Sequence, residues 1–64
     1  MCEAKVVIED SSGKKPLMED VVSVSPEGDS LKVTNILGES VTVNASVQEV
    51  QMLHPHTIVL RSKD

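Results

Sequence analysis

Valine sets the rhythm of this chain. Apolar and polar residues alternate over short runs broken by turn formers, and the branched valine side chain favours extended backbone. Glu3 to Glu9 predicts a first strand, with Ala4, Val6 and Ile8 on one face and Lys5, Val7 and Glu9 on the other. Asp10-Ser11-Ser12-Gly13 predicts a loop. Lys14 to Met18 predicts a short edge segment, because Pro16 has no N–H to give to a central ladder. Val21 to Ser25 and Leu31 to Ile36 flank Ser25-Pro26-Glu27-Gly28-Asp29 and form the clearest hairpin, with Pro at an early turn position and Gly supplying a positive φ.

Further along, Leu37-Gly38-Glu39 leads into a strand at Ser40-Val41-Thr42-Val43, and Asn44-Ala45-Ser46 predicts a turn. Val47 to Leu53 is ambiguous. The spacing of Val47 and Val50 fits a helical turn, while Val50 and Met52 alternate as in a strand. A strand from about Gln48, with a helical turn before it, reconciles the two. His54-Pro55-His56 predicts the last turn and Thr57 to Arg61 the last strand. The whole pattern predicts an all-β fold: a small antiparallel barrel of the SH3 or Sm kind, about six short strands, forming one domain over residues 1–64 with no helix longer than two turns. Val22, Val24, Leu31, Val33, Ile58 and Leu60 are the expected core.

Composition narrows what such a domain can do. A chain of 64 residues buries a modest core and gains from a metal or a partner subunit. Its single cysteine excludes an internal disulfide, and one exposed thiol suits a reducing compartment, so a cytoplasmic location is expected. The apolar runs are too short to span a bilayer, and the start lacks the basic and apolar regions of a signal peptide. No membrane association is expected. Phe, Tyr and Trp are absent and the formal net charge is −4, which removes stacking platforms and repels phosphate chains. No nucleic-acid binding is therefore expected, although a small Sm-like RNA-binding module is the alternative such a barrel would suggest. Lys14-Lys15 is too short to be a nucleic-acid patch. No nucleophile–base or acid–base pair can be argued, so the chain is not expected to be an enzyme.

The candidate chemistry lies at Cys2. A lone cysteine is commonly a small hydrophobe or a bystander. Beside the start of the chain, however, its thiolate and a main-chain nitrogen close a five-membered chelate ring that needs no tertiary structure. Thiolate and nitrogen donors suit late transition metals, nickel and copper favouring the planar arrangement. If Met1 is trimmed, Cys2 offers a free amine. If Met1 is kept, Cys2 offers its amide nitrogen and Met1 adds its amine. His54 and His56 are the other residues that could bind a metal. One Cys and two His are fewer than the four ligands a zinc site normally assembles, so they read as exposed turn residues unless a dimer doubles the count.

The start Met1-Cys2-Glu3-Ala4-Lys5-Val6, then Glu19-Asp20-Val21-Val22-Ser23-Val24, the acidic hairpin Pro26-Glu27-Gly28-Asp29, Leu31-Lys32-Val33-Thr34 and a late Thr57-Ile58-Val59-Leu60 strand together resemble the CooT family of small nickel-binding proteins. The resemblance covers nearly the whole chain. It implies an SH3- or Sm-like barrel, a homodimer, and Ni(II) bound through Cys2, with Met1 the only other residue carried into the site. It also implies an accessory role, as metallochaperone or nickel store, beside a nickel-enzyme maturation partner. The family's founding context is carbon monoxide dehydrogenase.

Overall fold

A computed structural model describes residues 3–63. The strand signals become six strands: β1 (Ala4–Asp10), β2 (Gly13–Glu27), β3 (Ser30–Asn35), β4 (Ser40–Val43), β5 (Ala45–Gln51) and β6 (Thr57–Ser62). They form one sheet in the order β4-β3-β2-β1-β6-β5. Every neighbouring pair is antiparallel except β1 and β6, which run parallel from Lys5↔Thr57 to Glu9↔Arg61. Among the described residues there is no helix.

Short turns connect the first three strands. Ser11-Ser12 joins β1 to β2, and the Ser12 N–H donates to Asp10 Oδ1 at 2.7 Å. Gly28-Asp29 joins β2 to β3, with φ of +62° at Gly28, the first loop position, where glycine is the residue a tight hairpin of this kind wants. Pro26 is thus inside the ladder, paired with Leu31, rather than in the turn. A two-residue hairpin closes on a hydrogen-bonded pair, here Glu27↔Ser30, so Pro26↔Leu31 is a non-hydrogen-bonded pair and needs no N–H from proline. The same alternation from Asp10↔Gly13 places Pro16↔Val7 at a non-hydrogen-bonded pair.

The expected edge segment Lys14 to Met18 is instead the first part of the 15-residue β2. β2 pairs with β1 through its first half and with β3 through its second, so the stretch around Pro16 is paired on one side only. Between the halves the chain bends. Register shifts fall at Ala4/Val6, Val6/Val7 and Val21/Ser23, and Asp20 has φ of +57°. Aspartate tolerates that left-handed backbone far better than a branched residue does. Asp20→Val should therefore destabilise the fold by about 1–2 kcal/mol while Asp20→Gly is neutral or stabilising, a difference read by urea denaturation.

The predicted barrel is not closed. β4 and β5 are the two edges of the sheet and do not pair. Only Asn44 separates them in sequence, too little for a hairpin between them. A flat sheet of six strands would hold its outer strands ~24 Å apart. One residue spans about 7 Å between its neighbours. The sheet must curl until its edges share a corner, where the Lys63 N–H donates to the Asn44 carbonyl at 3.0 Å. Ala45 and Ser46, expected in a turn, begin β5, and the segment from Val47 is strand with no helical turn. In the β3–β4 bend, Asn35 Oδ1 accepts from the Leu37 and Glu39 N–H groups, both at 3.0 Å.

The curl encloses Val6, Val21, Val33, Ala45 and Leu60, against which Ile8, Met18, Val24, Leu31, Val43 and Ile58 pack. Val33 and Leu60 are buried as expected, and Val24, Leu31 and Ile58 are half-buried partners of that cluster. Val22 is a correction: it is 53% exposed. The register shift between Val21 and Ser23 breaks the two-residue period, so Val21 takes the inward position and Val22 turns out.

Candidate functional site

The parallel pairing of β1 with β6 brings their first residues to the same end of the sheet. There the Lys5 N–H donates to the His56 carbonyl at 2.9 Å, which ties the turn before β6 to the start of β1. Gln51, the last residue of β5, pairs with Thr57, and Ala4 pairs with Val21 beside the β2 bend. Four elements converge where the chain enters the fold.

Two hollows share His56 at this end. One is apolar, lined by Ala4, Val22, Val50, Met52 and Ile58 among others. Val50 is 53% exposed, Met52 71% and the adjoining Leu53 85%, so its rim is a patch of apolar side chains open to solvent. The other is polar, lined by Glu3, Lys5, Glu19, Asp20, His54 and His56 together with Pro55. The His54 and His56 rings stand edge to face, their centres 6.3 Å apart and their planes at 80°. Thr57 Oγ1 donates to the Pro55 carbonyl at 3.0 Å and steadies the turn between them. Glu3 Oε2 is shielded from solvent and, among the described residues, has no hydrogen-bond partner.

Met1 and Cys2, the metal ligands expected from the sequence, lie outside the described residues. Glu3, one peptide bond from Cys2, lines the polar hollow. His54 and His56 do occupy a turn, as expected, with His54 exposed and His56 half-buried. What the sequence did not show is that this turn lies beside the start of β1. It also did not show the apolar rim, because Val50, Met52 and Val22 come from different strands and loops. Lys14 and Lys15 are far from all of this, on the β1–β2 hairpin, where Lys15 faces Asp10 at 3.7 Å. Such an exposed pair contributes little to stability. Among the described residues no three His, Cys, Asp or Glu side chains form a group able to hold a metal ion, and no helix is long and apolar enough to cross a membrane.

Residues 1–61 match the family described as CO dehydrogenase accessory protein CooT. This chain belongs to the CooT family. The match begins at residue 1 and so takes in Met1 and Cys2. A crystal structure assigned to CooT from Carboxydothermus hydrogenoformans superimposes with a TM-score of 0.86 at 25% sequence identity, covering 98% of this chain and 100% of the other. No curated protein matched the chain. The CooT description names an accessory protein of an enzyme rather than a catalyst, which accords with the lack of an arguable catalytic pair. The superposition covers nearly the whole of both chains, so this CooT chain shares the curled sheet of that protein.

Proposed function

We propose that this protein binds Ni(II) through Cys2 and serves as a nickel accessory protein, a metallochaperone or store, for maturation of a nickel enzyme of the carbon monoxide dehydrogenase kind. The observation that carries this reading is the CooT family match that includes Cys2. The donor chemistry agrees with it. The Cys2 thiolate and its own main-chain nitrogen form one bidentate unit, and such donors favour planar nickel over tetrahedral zinc. Copper should compete in a test tube, since the affinity order places it above nickel, so selectivity in a cell would follow metal availability. The RNA-binding alternative gains nothing from the fold: the chain is acidic and has no aromatic side chain on which a base could stack.

The functional form in this reading is a homodimer. One chain supplies a single thiolate, whereas two Cys2 residues near a two-fold axis supply two thiolates and two nitrogens for one ion. The apolar rim of Val22, Val50, Met52 and Leu53 surrounds the same end of the sheet and is the surface we assign to the partner subunit. Sedimentation velocity at micromolar concentration should therefore give the mass of two chains. Val50→Asp combined with Met52→Asp should give one chain, with its circular dichroism unchanged. Nickel should tighten the wild-type dimer, because a bridging ligand stabilises the state that binds it. A wild-type protein that stays monomeric both with and without Ni(II) would exclude this arrangement.

A further inference from the structure

We propose that the β3–β4 bend is the element by which this protein docks on the enzyme it serves. Leu37 enters an apolar pocket of that enzyme, and Glu19, Asp20 and Glu39 face lysine or arginine side chains around the pocket. The inference rests on the accessory reading and adds to it a surface and the chemistry of the partner. Its first support is what the bend displays. The two-residue turns of the sheet present polar or small residues, Ser11-Ser12 and Gly28-Asp29. The β3–β4 bend instead presents Leu37, 80% exposed, with Ile36 beside it at 47%. Neither side chain belongs to the core or to the partly buried residues packed on it, and neither lines the two hollows that share His56.

The second support is the order of the bend. The Asn35 N–H donates to the Glu39 carbonyl at 2.9 Å, and the Gly38 N–H donates to the Asn35 carbonyl at 3.0 Å. The Leu37 and Glu39 N–H groups both donate to Asn35 Oδ1. The Ile36 N–H donates to the Asp20 carbonyl at 2.8 Å, which fixes the bend to the corner of β2. Every N–H from Asn35 to Glu39 is therefore bonded within the protein. An exposed leucine alone needs no explanation. One held outward by a fully bonded bend is a preorganised anchor, because a partner that covers it need not order the loop first.

The third support is charge. Asn35 Nδ2 donates to Glu39 Oε1 at 2.8 Å and holds that carboxylate two positions from Leu37. Glu19 and Asp20 stand at the corner to which Ile36 is bonded. Among the described residues the ion pairs are Lys15–Asp10 and Arg61–Glu9, so no cation pairs with Glu19, Asp20 or Glu39. Lys5 shares a hollow with Glu19 and Asp20 without pairing with either. Three free carboxylates beside one apolar anchor complement an apolar pocket with a basic edge. They would repel a nucleic acid, and a second copy of the same face would set carboxylate against carboxylate.

Binding to immobilised nickel-free carbon monoxide dehydrogenase, followed by biolayer interferometry, tests this. Leu37→Ser should raise the Kd about tenfold or more, the scale of one leucine burial lost. Its circular dichroism and its nickel absorption should match the wild type. Glu19→Gln/Asp20→Asn/Glu39→Gln should also raise the Kd and should flatten its rise with salt, since exposed charge pairs are screened. These changes keep an acceptor for Asn35 and a residue that tolerates the left-handed backbone at position 20. Lys14→Gln, at the far end of the first half of β2, should not raise the Kd. No binding by the wild type, or a wild-type Kd in either the Leu37 or the carboxylate variant, would overturn the docking surface. If nickel-loaded wild type speeds activation of the enzyme and Leu37→Ser does so equally at every concentration, the accessory reading stands and the docking surface falls. Leu37-dependent binding by a protein that develops no thiolate-to-nickel band would refute the Cys2 reading and support the docking surface.

Discussion

Cys2→Ser is expected to remove the thiolate-to-nickel charge-transfer absorption and to weaken Ni(II) binding by about two orders of magnitude or more, ~2.7 kcal/mol. The serine hydroxyl has nearly the same size but neither the softness nor the acidity of a thiol. It leaves the main-chain nitrogen without the partner that closes the chelate ring. The sign of the pH effect follows from the same chemistry. A free thiol has a pKa of ~8.5 and must lose its proton to ligate, so nickel affinity of the wild type should fall as pH drops below neutrality. Equilibrium titration monitored by absorption, at two or three pH values and beside His54→Ala and His56→Ala, checks both statements. Nickel affinity that survives in Cys2→Ser and collapses in the histidine variants would move the principal site to the turn before β6.

Leu60→Ala is expected to cost about 2–5 kcal/mol, the range for deleting a fully enclosed leucine side chain. Leu60 is 0% exposed and lies in the cluster with Val6, Val21, Val33 and Ala45. Removing it leaves a cavity between β1, β5 and β6 that the curled sheet can refill only by collapsing its own bend. A small domain has only ~5–15 kcal/mol of stability in total, so this one change should lower the melting temperature by roughly 8 °C or more at about 4–8 °C per kcal/mol. Leu37→Ala is the matched control. The same side chain, 80% exposed in the β3–β4 bend, should change stability by no more than about 0.5 kcal/mol. Urea denaturation of both variants with equal slopes separates a loss of packing from a change in the unfolded chain. Equal losses for the two leucines would contradict the core described above.

The alternating valines and the turn residues were legible in the sequence, because each depends on neighbours within a few residues. Ser40–Val43 coincides with β4, and the Gly28-Asp29 turn falls inside the predicted hairpin. Where the local pattern misled, a longer-range cause is visible. Val22 and Val24 alternate as a buried pair should, yet the shift at Val21/Ser23 moves the inward position to Val21, and bulges are decided by how two strands fit rather than by one strand's alternation. Ala45 and Ser46 read as a turn because Asn44 precedes them, but pairing with Ser62 and Arg61 draws them into β5. The ambiguity at Val47–Leu53 was settled the same way, by the partner β6. Proline at 16 and 26 argued against central strands, and the ladder accommodates both at pairs that ask for no N–H.

The sequence by itself therefore determined the all-β class, the number of strands and most of the turns, since period and turn chemistry are local properties. The tertiary structure alone decided that β1 and β6 run parallel, that the sheet curls without closing, and that the His54–His56 turn lies beside the start of β1. Those features depend on which strands separated by some fifty positions choose each other, a choice made by shared burial of Val6 and Leu60 and not written in either segment.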